Sequence, residues 1–143
     1  MVYRWPNLQK ASPLKVVESE KITINLGFVD LGQIDLLVQE GFYSNRTDLI
    51  RTAIRNQLAT HADAVKQTVA RRTLVLGLQH YTRRDLEAVK AVGEKLQIQV
   101  LGLATIADDV SPDLARDTIE SVFVLGALHA SPAVKSALAH RIR

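Results

Sequence analysis

The sequence predicts an α+β chain in which an N-terminal strand-helix-helix unit is followed by a small α/β domain of three strand-helix repeats. Three observations predict it. The hydrophobic period switches from two to about 3.6 inside Lys21–Leu58, KITINLGFVDLGQIDLLVQEGFYSNRTDLIRTAIRNQL. The tripeptide Val-Leu-Gly occurs at 75–77, 100–102 and 124–126, at separations of 25 and 24 residues. A helix-start signal follows each copy: Thr82, Ser111 with Pro112, and Ser131 with Pro132.

Residues 1–18 read as an arm without clear period, holding Tyr3, Trp5, Pro6 and a Ser-Pro pair. Its Trp, the only one in the chain, either packs on the same protein or reaches a neighbouring subunit or a nucleic-acid backbone, helped by Arg4, Lys10 and Lys15. Next comes a strand in which Ile22, Ile24 and Leu26 alternate with Lys21, Thr23 and Asn25, giving one apolar and one hydrogen-bonding face. Asp30, three residues before Gln33, has capping-box spacing and predicts a first helix from near Leu31. Its stripe is Leu31, Ile34, Leu37 and Val38, and Gly41 stands where a left-handed residue ends a helix. Ser44 is the expected N-cap of a second helix, with Asp48 near the positive end of its dipole and Ile50, Ala53, Ile54 and Leu58 on its apolar side.

Residues 19–58 resemble the ribbon-helix-helix family of DNA-binding proteins, the group containing the Arc and MetJ repressors and the nickel-responsive regulator. The resemblance rests on K-I-T-I-N-L for the ribbon and G-F-Y-S-N-R-T-D-L-I-R for the turn into the second helix. It implies a homodimer whose paired antiparallel strands enter the major groove of double-stranded DNA. Lys21, Thr23 and Asn25 then face base edges. Lys can donate to guanine, Asn can bond adenine bidentately, and Thr offers a hydroxyl and a methyl, each good pairing being worth about 1–3 kcal/mol of discrimination. The plainer alternative is that these three form the wet face of an amphipathic strand. The resemblance also places Ser44, Asn45 and Arg46 on DNA phosphates, where free N–H groups at a helix start favour an anion. Capping by Ser44 is compatible with that contact. Arg51 and Arg55, one turn apart, are expected either to pair with Asp48 or to stay in water rather than to touch DNA.

From 59 to 71 the chain lacks Gly and Pro, so the second helix is expected to continue as a stiff helical linker, with Ala62, Val65 and Val69 extending its stripe and Arg71-Arg72 marking a boundary. Residues 72–143 then alternate strand and helix, which implies a parallel sheet with right-handed crossovers or a short leucine-rich-like solenoid. The strands are apolar on both faces, as in Val122, Phe123, Val124, Leu125 and Leu128. Helical residues such as Leu86, Val89, Leu114, Ile119, Val134 and Leu138 can cover one face. The other face needs a cover, which predicts an oligomerisation domain forming tetramers or larger assemblies. A glycine at each strand end leaves an effector pocket as an alternative, although a turn requirement explains such glycines equally well.

All the net positive charge lies in the first half: residues 1–72 hold 10 Lys or Arg against 7 Asp or Glu, while residues 73–143 hold 8 of each. That modest excess assigns specificity to placed contacts rather than to a general field. With no Cys, disulfides, zinc thiolates and thiol catalysis are excluded. No apolar run suits a membrane span or signal peptide, so a cytoplasmic location is expected. His61, His80, His129 and His140 are scattered, unlike the histidine-rich domain of nickel-responsive regulators, and no metal or other cofactor is implied. Asp108 and Asp109 fit a solvated helix-entry loop better than an acid pair, and no enzyme is indicated. The sequence therefore reads as a DNA-binding transcriptional regulator of the repressor type. Its rivals are an antitoxin that regulates its own operon and wraps a toxin partner, and a plasmid-maintenance DNA binder.

Overall fold

The computed structural model describes residues 19–143, which divide into two compact units, Ser19–Thr68 and Val69–Arg143. The arm expected over 1–18 lies outside the described residues. In the first unit, α1 spans Phe28–Gln39 and α2 spans Arg46–Thr60. Helix α1 begins earlier than the expected Leu31, because Gly27 is its N-cap and the Gly27 carbonyl accepts from the Leu31 N–H at 3.0 Å. Asp30 thus lies in the first turn, where its charge suits the dipole, and makes no capping bond. At the other end Gly41 adopts φ +83°, and Phe42 and Gly41 donate to the carbonyls of Leu37 and Val38 at 3.0 and 3.1 Å. This is a Schellman closure, as the Gly position predicts.

The second helix does not run unbroken into the linker. It stops at His61, whose N–H donates to the Leu58 carbonyl at 3.1 Å, and a separate helix α3 covers Ala62–Arg71. The Thr60 hydroxyl bonds the Gln57 carbonyl at 2.6 Å, the kind of local side-chain bond that competes with a continuing helix. The predicted strand, Lys21–Leu26, has no ladder partner in the single chain and forms no strand there. Ile22, Ile24 and Leu26 remain 75%, 57% and 42% exposed, and no residue of α1, α2 or α3 is buried.

The second unit runs β1 (Val75–Tyr81), α4 (Arg83–Ala91), β2 (Leu96–Ile106), α5 (Pro112–Thr118), β3 (Ile119–His129) and α6 (Pro132–Ala137), with a 3-10 turn at Ala139–Arg141. The three strands form one parallel sheet in the order β1-β2-β3. Each helix starts where its cap predicts: Thr82 accepts from Asp85, Ser111 from Leu114 and Ser131 from Val134. Ile119, expected on a helix, instead begins β3 because the α5 helix is only seven residues long.

The Val-Leu-Gly copies lie side by side in register, Gly77 opposite Gly102 and Gly102 opposite Gly126. The glycines are therefore within the strands, not at the strand ends as expected. Their φ values are +123°, +140° and +119°. A Cβ on Gly102 would lie 2.1 Å from the Gly77 carbonyl oxygen, and one on Gly126 would meet the Gly102 carbonyl oxygen at the same distance. No side chain fits at either place.

One sheet face is covered: Ile98, Val100, Ala104, Ile106 and Val122 are buried with Leu86, Leu114, Ala115, Val134 and Leu138 of the helical layer. On the opposite face, Leu76, Leu101 and Leu125 form one cross-strand row, and Leu78, Leu103 and Ala127 form the next.

Candidate nucleic-acid interface

Lys21, Thr23 and Asn25 precede α1 and are all exposed, alternating with the exposed Ile22, Ile24 and Leu26. The segment thus carries a polar and an apolar set at a period of two.

At the start of α2 the N-cap is Asn45 rather than the expected Ser44. Asn45 has extended backbone, and its Oδ1 accepts from the Asp48 N–H at 2.8 Å. Asp48 answers one residue further out, its Oδ2 accepting from the Ser44 N–H at 3.0 Å. The N–H groups of Arg46 and Thr47, at the first two helical positions, cannot have intrahelical acceptors. Beside this helix start is a cleft of about 440 Å³ lined by Ser44, Asn45, Thr47, Asp48, Arg51 and Arg55. Two free N–H groups, the positive end of a 15-residue helix and two guanidiniums make this a surface for an anion.

Arg46 is tied elsewhere. Its Nε and Nη2 donate to the two carboxylate oxygens of Asp35 at 2.7 and 2.8 Å, a bidentate fork that links α1 to α2. The fork leaves Nη1 without a partner among the described residues, so the same side chain can brace the helices and still present one amine outward.

A model of the ribbon-helix-helix transcriptional regulator family matches residues 17–135. The chain belongs to that family. Searches of curated proteins and of solved structures give no match. The match covers both units, so in this ribbon-helix-helix chain the parallel sheet is part of the family pattern rather than an unrelated addition.

Within this family member, Ser44, Asn45 and Arg46 stand together at the helix start, and Arg51 and Arg55, expected in water or paired with Asp48, line the cleft beside it. Thr47, Arg51 and Arg55 follow at i, i+4 and i+8 and so share one helical face. Neither arginine pairs with Asp48 among the described residues, because that carboxylate turns back to Ser44. Among those residues there is also no cluster of His, Cys, Asp or Glu able to hold a metal, and no helix is long and apolar enough to cross a membrane. Asp108 and Asp109 occupy an exposed turn, as expected.

The Arg46 hydrogen bonds hold the Asp35 carboxyl below the usual carboxylate range. A lowered carboxyl pKa stabilises the fold above the ordinary range, and that contribution is lost as pH falls through the folded value. In Arg46→Ala the Asp35 titration, followed by carboxyl-carbon NMR, should move up towards the ordinary range. An unmoved midpoint would show that the fork does not persist in solution.

Proposed function

We propose that this protein is a sequence-specific DNA-binding repressor acting as a homodimer. Two copies of Lys21–Leu26 pair antiparallel; Lys21, Thr23 and Asn25 read base edges in the major groove, and Ile22, Ile24 and Leu26 close over the helices of both chains. Ser44, Asn45 and the outer amine of Arg46 hold phosphate, and Arg51 and Arg55 add charge to the same strand of backbone. The observation that carries this reading is the bare Ser19–Thr68 unit, in which an amphipathic segment and the helices after it leave no residue buried. Such a unit gains a core when a second copy supplies the missing strand. The folded second unit favours a regulator over an antitoxin, whose toxin-wrapping segment is typically disordered before binding.

The test is selection of genomic fragments by the full chain at near-physiological salt. Native protein should recover a common two-fold symmetric site, and the variant carrying Lys21→Ala, Thr23→Ala and Asn25→Ala should lose it. An Arg51→Ala, Arg55→Ala variant should bind all fragments more weakly while keeping the same preference, because phosphate contacts carry no sequence information. Equal, salt-labile recovery by native protein and triple variant would rule out ribbon readout.

A further inference from the structure

The second unit has a concave site of its own. A cavity of about 130 Å³ is lined by Arg72, Leu74, Gln99, Ser121, Phe123 and Arg143. Gln99 pairs with Phe123 one residue before the Val75–Val100–Val124 row, and Leu74 immediately precedes β1, so the cavity is at the N-terminal ends of the strands. The capped helix starts at Thr82, Ser111 and Ser131 follow the other ends. We propose that this cavity binds a small organic carboxylate, at a ligand site distinct from the strand glycines and from the start of α2.

Two cations line the cavity and no acid answers them. The guanidiniums of Arg72 and Arg143 make no ion pair among the described residues. Glu120, next to Ser121, is engaged elsewhere, its Oε2 accepting from Gln97 Nε2 at 2.8 Å. Each guanidinium carries five N–H donors in a planar fork that matches a carboxylate.

The cavity residues are also held in place. The Arg72 guanidinium lies 5.0 Å from the centre of the Phe123 ring, a cation–π contact. Beside it, Thr73 is the only non-glycine among the described residues with positive φ, +53°, and strain of that kind collects at ligand clamps. The Thr73 hydroxyl is 2.7 Å from the Arg72 carbonyl oxygen and 3.1 Å from Gln99 Oε1. Engaging Oε1 leaves the Gln99 amide nitrogen as a donor without a partner among the described residues. Arg143 is fixed through its backbone, whose N–H donates to the Val122 carbonyl at 2.9 Å, while Ile142 bridges Val122. Just before it, Arg141 Nη1 donates to the Arg116 and Ile119 carbonyls at 2.6 and 2.7 Å.

The remaining walls select the rest of the ligand. Leu74 is buried and Phe123 half-buried, so an apolar wall stands beside the Gln99 amide and the Ser121 hydroxyl. The volume is that of roughly four waters at ~30 Å³ each, room for a carboxylate and a short alkyl tail but not for a nucleotide. Inorganic phosphate matches the charge and leaves the apolar wall uncovered. Both arginines are exposed, so the plain alternative is two cations in water.

The experiment is NMR of the ¹⁵N-labelled full chain, titrated with sodium butyrate and separately with inorganic phosphate at an ionic strength held constant with chloride. Butyrate should give saturable shifts of the Gln99 side-chain amide and of the Arg72 and Arg143 Nε–H signals, with a lower midpoint than phosphate. Arg72→Gln and Arg143→Gln, at exposed positions and with unchanged circular dichroism, should each raise the butyrate midpoint read at Gln99 by about tenfold or more, as loss of a charge-assisted contact requires. Shifts that grow without saturating overturn the inference, as do equal midpoints in native protein and both variants. Phosphate binding as tightly as butyrate also overturns it, because charge alone would then fill the cavity.

Discussion

Gly102→Ala should destabilise the second unit by about 4 kcal/mol or more, enough to remove most of the stability of a small domain. Two costs combine. The backbone at φ +140° is open to glycine and strained for any L side chain, which alone costs about 1–3 kcal/mol. The added carbon would also lie 2.1 Å from the Gly77 carbonyl oxygen, so β1 and β2 must part or the backbone must rotate out of its conformation. Gly126→Ala repeats both costs against the Gly102 carbonyl. Gly77→Ala isolates the first, since φ is +123° but a Cβ there meets nothing within 4 Å. Urea titrations of the three variants should give a smaller midpoint shift for Gly77→Ala and larger, similar ones for the other two. Equal, small shifts in all three would show that the strands do not approach each other in this way.

That contrast also marks the limit of what the sequence discloses. The Val-Leu-Gly repeat located all three strands and set Val75, Val100 and Val124 in one row. The caps at Thr82, Ser111 and Ser131 were equally legible, because each is a bond between residues three apart. What the glycines do was not legible. A Gly that ends a strand and a Gly that lets two parallel strands close up look alike in one chain, and only the neighbour's carbonyl tells them apart.

The candidate site divides in the same way. Ser44, Asn45 and Arg46 are adjacent, so a helix start brings them together whichever of them caps it. The choice of Asn45 over Ser44 depended on the backbone, as both side chains can accept the bond. The Arg46–Asp35 fork joins residues eleven apart on different helices, and no periodicity announces it. The start of α1 slipped for the opposite reason. Asp30 looked like a cap on side-chain chemistry, while Gly27 used only its carbonyl.

Ile24→Lys should abolish the proposed dimer of the first unit, because that unit has no core of its own to fall back on. Helices of 12 and 15 residues are marginal in water when nothing packs against them. Their apolar residues Leu37, Ile54 and Leu58, like Ile22, Ile24 and Leu26 before them, stand exposed in the single chain. Fully burying one such side chain contributes about 1.5–3 kcal/mol, and in a two-fold dimer each is counted twice. A lysine at position 24 forfeits that gain in both chains and brings two like charges into the shared core. Circular dichroism should lose the helical signal of α1 and α2 while the parallel sheet of the second unit stays folded. Affinity for the selected DNA site should fall at least about 100-fold, equivalent to about 2.7 kcal/mol. Lys21→Ala, three residues away on the polar set, should weaken site recognition with no loss of helix. If Ile24→Lys instead keeps both its helices and its DNA affinity, the apolar side of the strand is not where two chains meet. On the proposed reading, folding and readout come apart because residues alternating at a period of two face opposite ways, so one short segment would hold the dimer together with its even positions and read DNA with its odd ones.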